Sequence, residues 1–153
     1  MLATMIFAGV LLVGPSLPGA ALPKDPAANV VQGFQYGYGL PIVAMLVYDA
    51  ETDPNHLLGR PGGYMARATW SDARLAVPSV PGRIATSDGG SVEVYATAAG
   101  AERRAEYLRA IGDAAPLFGS YTWTSGSYVL RVSSMLTPDQ AEQYRAAFVD
   151  LTR

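Results

Sequence analysis

Residues 121–151 read YTWTSGSYVLRVSSMLTPDQAEQYRAAFVDL, and this stretch decides the fold class. Aromatic and β-branched residues on both sides of Thr124-Ser125-Gly126-Ser127 predict two strands, 121–123 and 128–132, joined as a hairpin. The motif Thr137-Pro138-Asp139-Gln140 then supplies a helix cap, a proline in the first turn and a reciprocal glutamine. The buried stripe of this helix is predicted to consist of Ala141, Tyr144, Phe148 and Leu151.

A second strand-then-helix unit precedes this stretch. Residues 91–95 predict a short strand, with Val92 and Val94 on one face. Thr97 can cap a helix that begins at the next residue. The residues after Thr97 predict that helix, because apolar side chains recur there at helical spacing. These residues are Ala98, Ala101, Ala105, Leu108 and Ile111.

Two more strands are predicted upstream. Residues 42–48 form an apolar, β-rich run, and residues 64–71 alternate in polarity. In the second run one face carries Tyr64, Ala66, Ala68 and Trp70, and the other carries Arg67 and Thr69.

The remaining segments predict loops. Residues 49–63 and 75–90 are dense in glycine, proline and other turn formers. Residues 23–39 are interpreted as a linker that ends in a weak strand or flap, because Phe34, Tyr36 and Tyr38 alternate there.

The order of elements predicts the α+β class. A single mixed or antiparallel sheet with both helices on one face would bury every apolar stripe. This layout resembles a ferredoxin-like sandwich with an extra N-terminal hairpin, a likeness of fold that implies no function. The length of 153 residues fits one domain, which we expect at 40–153.

The N-terminal segment predicts export. Residues 1–22 contain no charged side chain, and residues 2–13 are a dense apolar run. Gly14, Pro15, Pro18 and Gly19 break this run, and small residues follow at 19–21, which is typical of a cleaved signal peptide. An uncleaved membrane anchor or an ordinary buried helix are the alternatives. The expected location is extracytoplasmic, either secreted or associated with the cell envelope.

Composition excludes several classes of function. The net charge is −2 with interspersed signs, which argues against a nucleic-acid partner and against binding to anionic lipid heads. Cysteine is absent, so disulfides, thiolate metal sites and cysteine nucleophiles are excluded. The sequence proposes no cofactor, no metal site and no catalytic residue. A membrane contact is expected only if the N-terminal segment stays uncleaved.

The segment 53–64, DPNHLLGRPGGY, holds the candidate ligand-binding residues. Asp53 and Asn55 suggest a turn in which side-chain oxygens bond to the backbone. Arg60 carries a planar donor fork that could clamp a carboxylate, either Asp53 or Asp72. A self-bracing loop between two strands and a functional loop on a rigid scaffold are both open. The candidate ligand-binding set is Asp53, Asn55, His56, Arg60 and Tyr64.

Motifs for established chemistries fail in this sequence. His56 is the only histidine, so an imidazole-based metal site lacks partners. Asp49, Glu51, Asp53 and Asn55 alternate as in a calcium loop, but Pro54 and Arg60 occupy the positions that need glycine and glutamate. No Gly-x-Ser-x-Gly elbow and no phosphate-binding loop is present.

The same segment carries a family resemblance. Asp-Pro-Asn at 53–55, Leu-Leu-Gly-Arg-Pro at 57–61 and Gly-Tyr at 63–64 resemble a shared core of uncharacterised actinobacterial exported proteins and lipoproteins. The similarity continues through residues 90–95 and 130–133 and covers about two thirds of the chain. It implies export and gives no known reaction. No cysteine follows the leader, so this chain departs from the lipoprotein members.

Two classes of function remain open. The first is a non-enzymatic envelope or secreted binding domain, whose partner is a cell-envelope component or another protein. The second is a small extracytoplasmic hydrolase that uses the 53–64 loop, with His56 close to a carboxylate. The first is favoured because acid–base pairs are few and aromatic side chains are many. Those aromatic residues are Tyr36, Tyr38, Tyr64, Trp70, Tyr121, Trp123 and Tyr128.

Overall fold

The computed structural model describes residues 25–76 and 82–153, so the predicted leader at 1–22 lies outside the described residues. The strands are β1 (Ile42–Val47), β2 (Ala66–Asp72), β3 (Gly89–Val94), β4 (Ser120–Ser125) and β5 (Tyr128–Ser133), and the helices are α1 (Pro26–Gln32), α2 (Ala98–Ala114) and α3 (Pro138–Leu151). The strands form one sheet in the order β1–β2–β3–β5–β4, and every neighbouring pair is antiparallel. The α+β class and the single sheet are therefore confirmed.

Both predicted helix starts are confirmed. The Thr137 side chain accepts a hydrogen bond from the Gln140 backbone N–H (3.3 Å), and the Gln140 side chain accepts one from the Thr137 N–H (2.9 Å). Thr97 caps α2 by accepting a hydrogen bond from the Gly100 N–H at 3.0 Å. These bonds satisfy donors that the first turn of a helix otherwise leaves unpaired.

The two helices predicted from the sequence lie on opposite faces of the sheet rather than on one. Neighbouring residues of a strand point to opposite faces. Leu130 of β5 belongs to the cluster under α1 and α3, whereas Val129 packs with Ala101 and Leu108 of α2. α2 packs on the face opposite α1 and α3 because that face has a small apolar cluster of its own. The buried apolar residues of α2 complete this cluster.

The connection through α2 is a split β–α–β unit. Because β3 and β4 are each antiparallel to β5, they run parallel to one another with β5 between them. α2 makes the crossover, as in one half of a ferredoxin-like sandwich. The N-terminal pair β1–β2 extends this unit on the β3 side, where the extra hairpin was expected.

The face covered by α1 and α3, here called the apolar face, holds the main core. Trp70 of β2 is fully buried there between Phe34 and Tyr144. Its ring centroid lies 5.4 Å from that of Phe34 and 5.0 Å from that of Tyr144, and Phe34 meets Tyr144 edge-on at 5.3 Å. Such tilted and edge-to-face contacts add about 1 kcal/mol per pair beyond the burial of area.

Glycine at position 90 makes room for this core. A Cβ placed on Gly90 would lie 2.3 Å from Cζ2 of Trp70. The indole therefore lies directly over the β3 backbone, at a distance that no other residue permits.

Residues 26–37 are helical, which corrects the predicted linker and weak strand at 23–39. Asp25 accepts a hydrogen bond from the Ala28 N–H at 2.9 Å, Pro26 occupies the first turn, and a π-helical turn at Gly33–Gly37 extends α1. Ala27, Val30, Val31 and Phe34 are buried at helical spacing, and their burial outweighs the weak intrinsic preference of this polar, glycine-bearing segment for a helix.

The predicted loops contain two smaller differences. Residues 49–63 form a loop as expected, but Tyr64 lies before β2 and packs on the α2 side, away from Ala66 and Trp70. In the predicted loop at 75–90, residues 77–81 lie outside the described residues, Thr86–Asp88 form a short 3-10 turn, and β3 begins at Gly89.

Candidate functional site

The face opposite the apolar face is built from charged and hydroxyl-bearing side chains. It is here called the charged face, and it is covered by α2, by the 49–63 loop and by residues 82–88. The strand register places one row of inner residues, Thr69, Ser91 and Arg131, side by side on β2, β3 and β5. The neighbouring row contains Arg67 and Glu93 in the same two strands β2 and β3.

Asp53 is the anchor of the 49–63 loop. Its fully buried carboxylate accepts hydrogen bonds from the backbone N–H groups of Leu57 (2.9 Å) and Leu58 (3.1 Å) and from the Tyr64 hydroxyl (2.7 Å). Arg67 Nη1 lies 3.2 Å from Asp53 Oδ1, in an ion pair that is buried on both sides. The loop is thus fastened to β2 by one carboxylate.

These contacts set the ionisation of the Asp53–Tyr64 pair. Burial alone would raise the pKa of Asp53, but the hydrogen bonds from Tyr64 and from the backbone outweigh it and hold the pKa below its ordinary value of 3.8. Burial, and then the nearby Asp53 carboxylate, raise the pKa of Tyr64. Asp53 is therefore a stable anion and Tyr64 a stable neutral donor at neutral pH.

Glu93 forms the second buried ion pair of the charged face. Its carboxylate accepts hydrogen bonds from Arg104 Nε (2.9 Å) and Arg104 Nη2 (3.1 Å), and from the Tyr95 hydroxyl (3.1 Å). Glu93 is fully buried and Arg104 nearly so. This two-pronged contact connects α2 to β3. Because the arginine compensates the buried charge of Glu93, a helix can cover this polar strand face.

Arg131 of β5 lies on the charged face without a carboxylate partner in an ion pair. Its Nε donates to the Ser120 hydroxyl at 3.3 Å, and it forms no ion pair within residues 25–76 and 82–153. Burial lowers its pKa from the ordinary value of 12.5, although nearby Glu93 acts in the opposite direction. The guanidinium remains a cation at neutral pH, in partly desolvated surroundings.

The candidate residues of the 53–64 segment separate into two groups. Asp53, Asn55 and Tyr64 come together, because the Asn55 side-chain amide donates to the Tyr64 hydroxyl at 3.1 Å. His56 and Arg60 are exposed and, within the described residues, make no side-chain hydrogen bond or ion pair. The carboxylates that Arg60 was expected to clamp are held by other arginines: Asp53 by Arg67, and Asp72 by Arg74 at 2.6 Å.

The loop geometry favours the self-bracing interpretation of this segment. His56 adopts a positive φ of 52°, at the bend where the backbone wraps around the Asp53 carboxylate. A hydrolase was expected to place the His56 imidazole within hydrogen-bond reach of a carboxylate. Among the described residues, no carboxylate lies within that reach.

A calcium-like arrangement of the loop carboxylates does not form. Asp49 accepts hydrogen bonds from the N–H groups of Glu51 and Thr52 in its own turn, whereas Asp53 points inward to Arg67. Across residues 25–76 and 82–153, no group of three His, Asp or Glu side chains is placed to hold a metal ion.

The aromatic side chains do not form an exposed platform. Tyr64 and Trp70 are fully buried, and Tyr121, Trp123 and Tyr128 are half-buried. Tyr121 and Trp123 stack with their planes 7° apart. Only Tyr36 and Tyr38 of the seven rings considered are exposed, so aromatic stacking is a weak basis for binding here.

The sequence analysis missed Glu93, Arg104 and Arg131 as members of a site. One signal was present in the sequence. Within the central strands, apolar residues alternate with charged ones, and the charged ones occupy positions that are normally apolar in a sheet covered on both faces. The periodicity assigns these residues to one face, but it does not reveal that a helix covers that face.

Comparisons with protein-family models, with curated proteins and with solved structures give no match for this chain. Among the helices that the structure describes, none is both long and apolar enough to cross a membrane.

Proposed function

We propose that this chain is an exported, non-enzymatic binding domain that acts in the cell envelope or in the surrounding medium. The uncharged apolar segment at 2–13, followed by helix breakers and small residues, supports export. The binding surface proposed is the charged face, and the partner is a cell-envelope component or another exported molecule.

One observation carries the preference for binding over catalysis. Each fully buried carboxylate of the described residues, namely Asp53, Asp72 and Glu93, is neutralised by an arginine within 3.2 Å. For Asp72, burial would raise the pKa, but the hydrogen bonds from Arg74 and Tyr144 hold it below 3.8. A general acid needs a pKa near the working pH, and groups held this firmly as anions are poor proton donors.

The proposal predicts two results for the full chain expressed in a bacterial host. We expect the protein outside the cytoplasm, with an N-terminus beyond residue 19 by mass spectrometry. In the purified protein, an NMR titration that follows the carboxyl carbon resonances should show that the carboxyl groups of Asp53 and Asp72 are still ionised at about pH 4. The variant Asp53→Asn assigns one of the two resonances.

Controls make both results decisive. Leu11→Arg combined with Leu12→Arg interrupts the apolar run and should keep the intact chain inside the cell. Full-length wild-type chain that stays in the cytosol would contradict export. A buried carboxyl group that is half-protonated above about pH 6 would contradict the binding assignment and favour acid–base chemistry.

A further inference from the structure

One of the arginines on the charged face has no direct ion pair among the described residues. Three guanidinium groups, of Arg67, Arg104 and Arg131, share this face with two carboxylates, of Asp53 and Glu93. Two of the arginines are neutralised by direct ion pairs. The third positive charge, on Arg131, remains.

The carboxylate that acts on Arg131, that of Glu93, is already engaged by other donors. Glu93 receives both prongs of Arg104 and the Tyr95 hydroxyl. Glu93 acts on Arg131 only from beyond ion-pair distance, so a partly desolvated cation is left without a direct partner, which favours an anion from outside.

Two buried donor groups on the same face also lack a partner. The Thr69 hydroxyl is fully buried without a hydrogen-bond partner, and so is Nε of Arg67, two residues earlier on β2. Both belong to the small minority of buried polar groups that native structures leave unsatisfied. The register places Ser91 between Thr69 and Arg131, so the three residues lie in one row across neighbouring strands, with their Cα atoms spanning about 10 Å.

We propose that this face binds a small organic carboxylate, which is held by Arg131 and by the hydroxyl groups of Thr69 and Ser91. The inference rests on the proposed binding function and names the class of ligand. The site lies between α2, which packs on β4 and β5, and the 82–88 segment, whose Thr86 hydroxyl donates to Ser91 at 3.2 Å.

Charge and shape favour a carboxylate over a phosphate group. A carboxylate carries one negative charge, which matches the single positive charge of Arg131, whereas a phosphate monoester carries nearly two at neutral pH. The two oxygens of a carboxylate also match the planar fork of a guanidinium. The remaining lone pairs can accept hydrogen bonds from hydroxyl groups, which Thr69 has available.

The test uses acetate as the probe and the purified full chain. Two-dimensional NMR follows the Arg131 side-chain N–H and the Thr69 backbone amide while sodium acetate replaces sodium chloride at constant ionic strength. We expect saturable shifts with a Kd on the order of 1 mM, as befits so small a ligand. Arg131→Met should weaken acetate binding at least tenfold.

A second readout separates a binding role from a structural one. Because Arg131 lacks a carboxylate partner, Arg131→Met should leave the Tm of the acetate-free protein unchanged or raise it, while abolishing the rise in Tm that acetate causes in the wild type. Arg145→Met, on the exposed side of α3, should alter neither quantity. If Arg131→Met does not fold, Thr69→Val decides, since it removes only the unpartnered hydroxyl and should weaken acetate binding.

Three outcomes would overturn the proposal: no saturable shift with acetate, equal binding by the wild type and the variants, or tighter binding of inorganic phosphate than of acetate. None of them touches the proposed function itself, because the location of the chain and the titration of Asp53 and Asp72 are measured without any ligand.

Discussion

The two faces of this sheet bury most of their side chains by different means, although the apolar face also holds the buried ion pair of Asp72 with Arg74. On the apolar face, Trp70, Phe34 and Tyr144 fill space, and their burial is stabilising wherever the fit is good. On the charged face, Asp53 and Glu93 are stable only because specific arginines reach them.

This difference separates stability from specificity. Apolar contacts lack direction, so the apolar face tolerates rearrangement of its side chains. Ion pairs and hydrogen bonds depend on direction, so the charged face requires one position for the 49–63 loop and one for α2. We infer that the apolar face supplies most of the stability of the fold. The charged face determines the positions of the 49–63 loop and of α2.

The largest expected effect comes from Trp70→Ala on the apolar face. Removing a fully buried indole should lower the free energy of unfolding by about 4 kcal/mol, because the cavity is too large to close. Denaturant titration measures this loss. Trp123→Ala, at a half-buried position on the edge strand β4, is the matched control and should cost markedly less. Equal losses would mean that burial does not distinguish the two positions.

A somewhat smaller effect is expected from Asp53→Asn on the charged face. The change leaves Arg67 buried without its counter-ion and should lower the free energy of unfolding by about 3 kcal/mol. Because the pKa of Asp53 is lowered on folding, its carboxylate stabilises the protein above about pH 4, and this contribution disappears as the pH falls through the lowered pKa.

The difference between wild type and Asp53→Asn should therefore shrink below about pH 4 in unfolding experiments at several pH values. Asp49→Asn, in the same loop but exposed, is the control and should have a much smaller effect at every pH. A difference that stays constant down to pH 2 would show that the charge of Asp53 is not what matters.

The smallest effect is expected from Arg109→Ala on α2. Its ion pair with Glu102 is nearly half-exposed on both sides, and such pairs contribute about 0.3 kcal/mol. Arg104→Ala on the same helix should cost far more, since it leaves Glu93 buried and unpaired. Thermal unfolding of the two variants side by side checks this contrast. Similar Tm values would refute the division between buried and exposed pairs.

Much of the fold was predictable because its signals are local. The caps at Thr97 and Thr137 are read from residues three positions apart, and the strands are read from alternation. The helix at 26–37 carried comparable signals, in the Asp25 cap, the proline at position 26 and the spacing of Val30, Val31 and Phe34. The alternating aromatic residues beside them favoured the wrong period.

The candidate site was less predictable because its contacts are not local. The sequence predicted that Arg60 could clamp Asp53 or Asp72, but nothing in it shows that Arg67 is the residue that pairs with Asp53. The pairing of Glu93 with Arg104 depends on the path of α2 back across the sheet. Periodicity assigned Arg67 and Thr69 to one face, whereas only the tertiary structure shows that this face is covered.

The helices α1 and α3 meet over the same sheet face, where a Cβ on Gly33 would lie 2.7 Å from the Leu151 side chain. Closing this contact joins residues that are more than a hundred positions apart, which makes folding slow compared with that of helical bundles. During folding, α1 lacks its partner over the sheet until α3 has formed. The apolar face therefore closes only when these two distant segments of the chain have met.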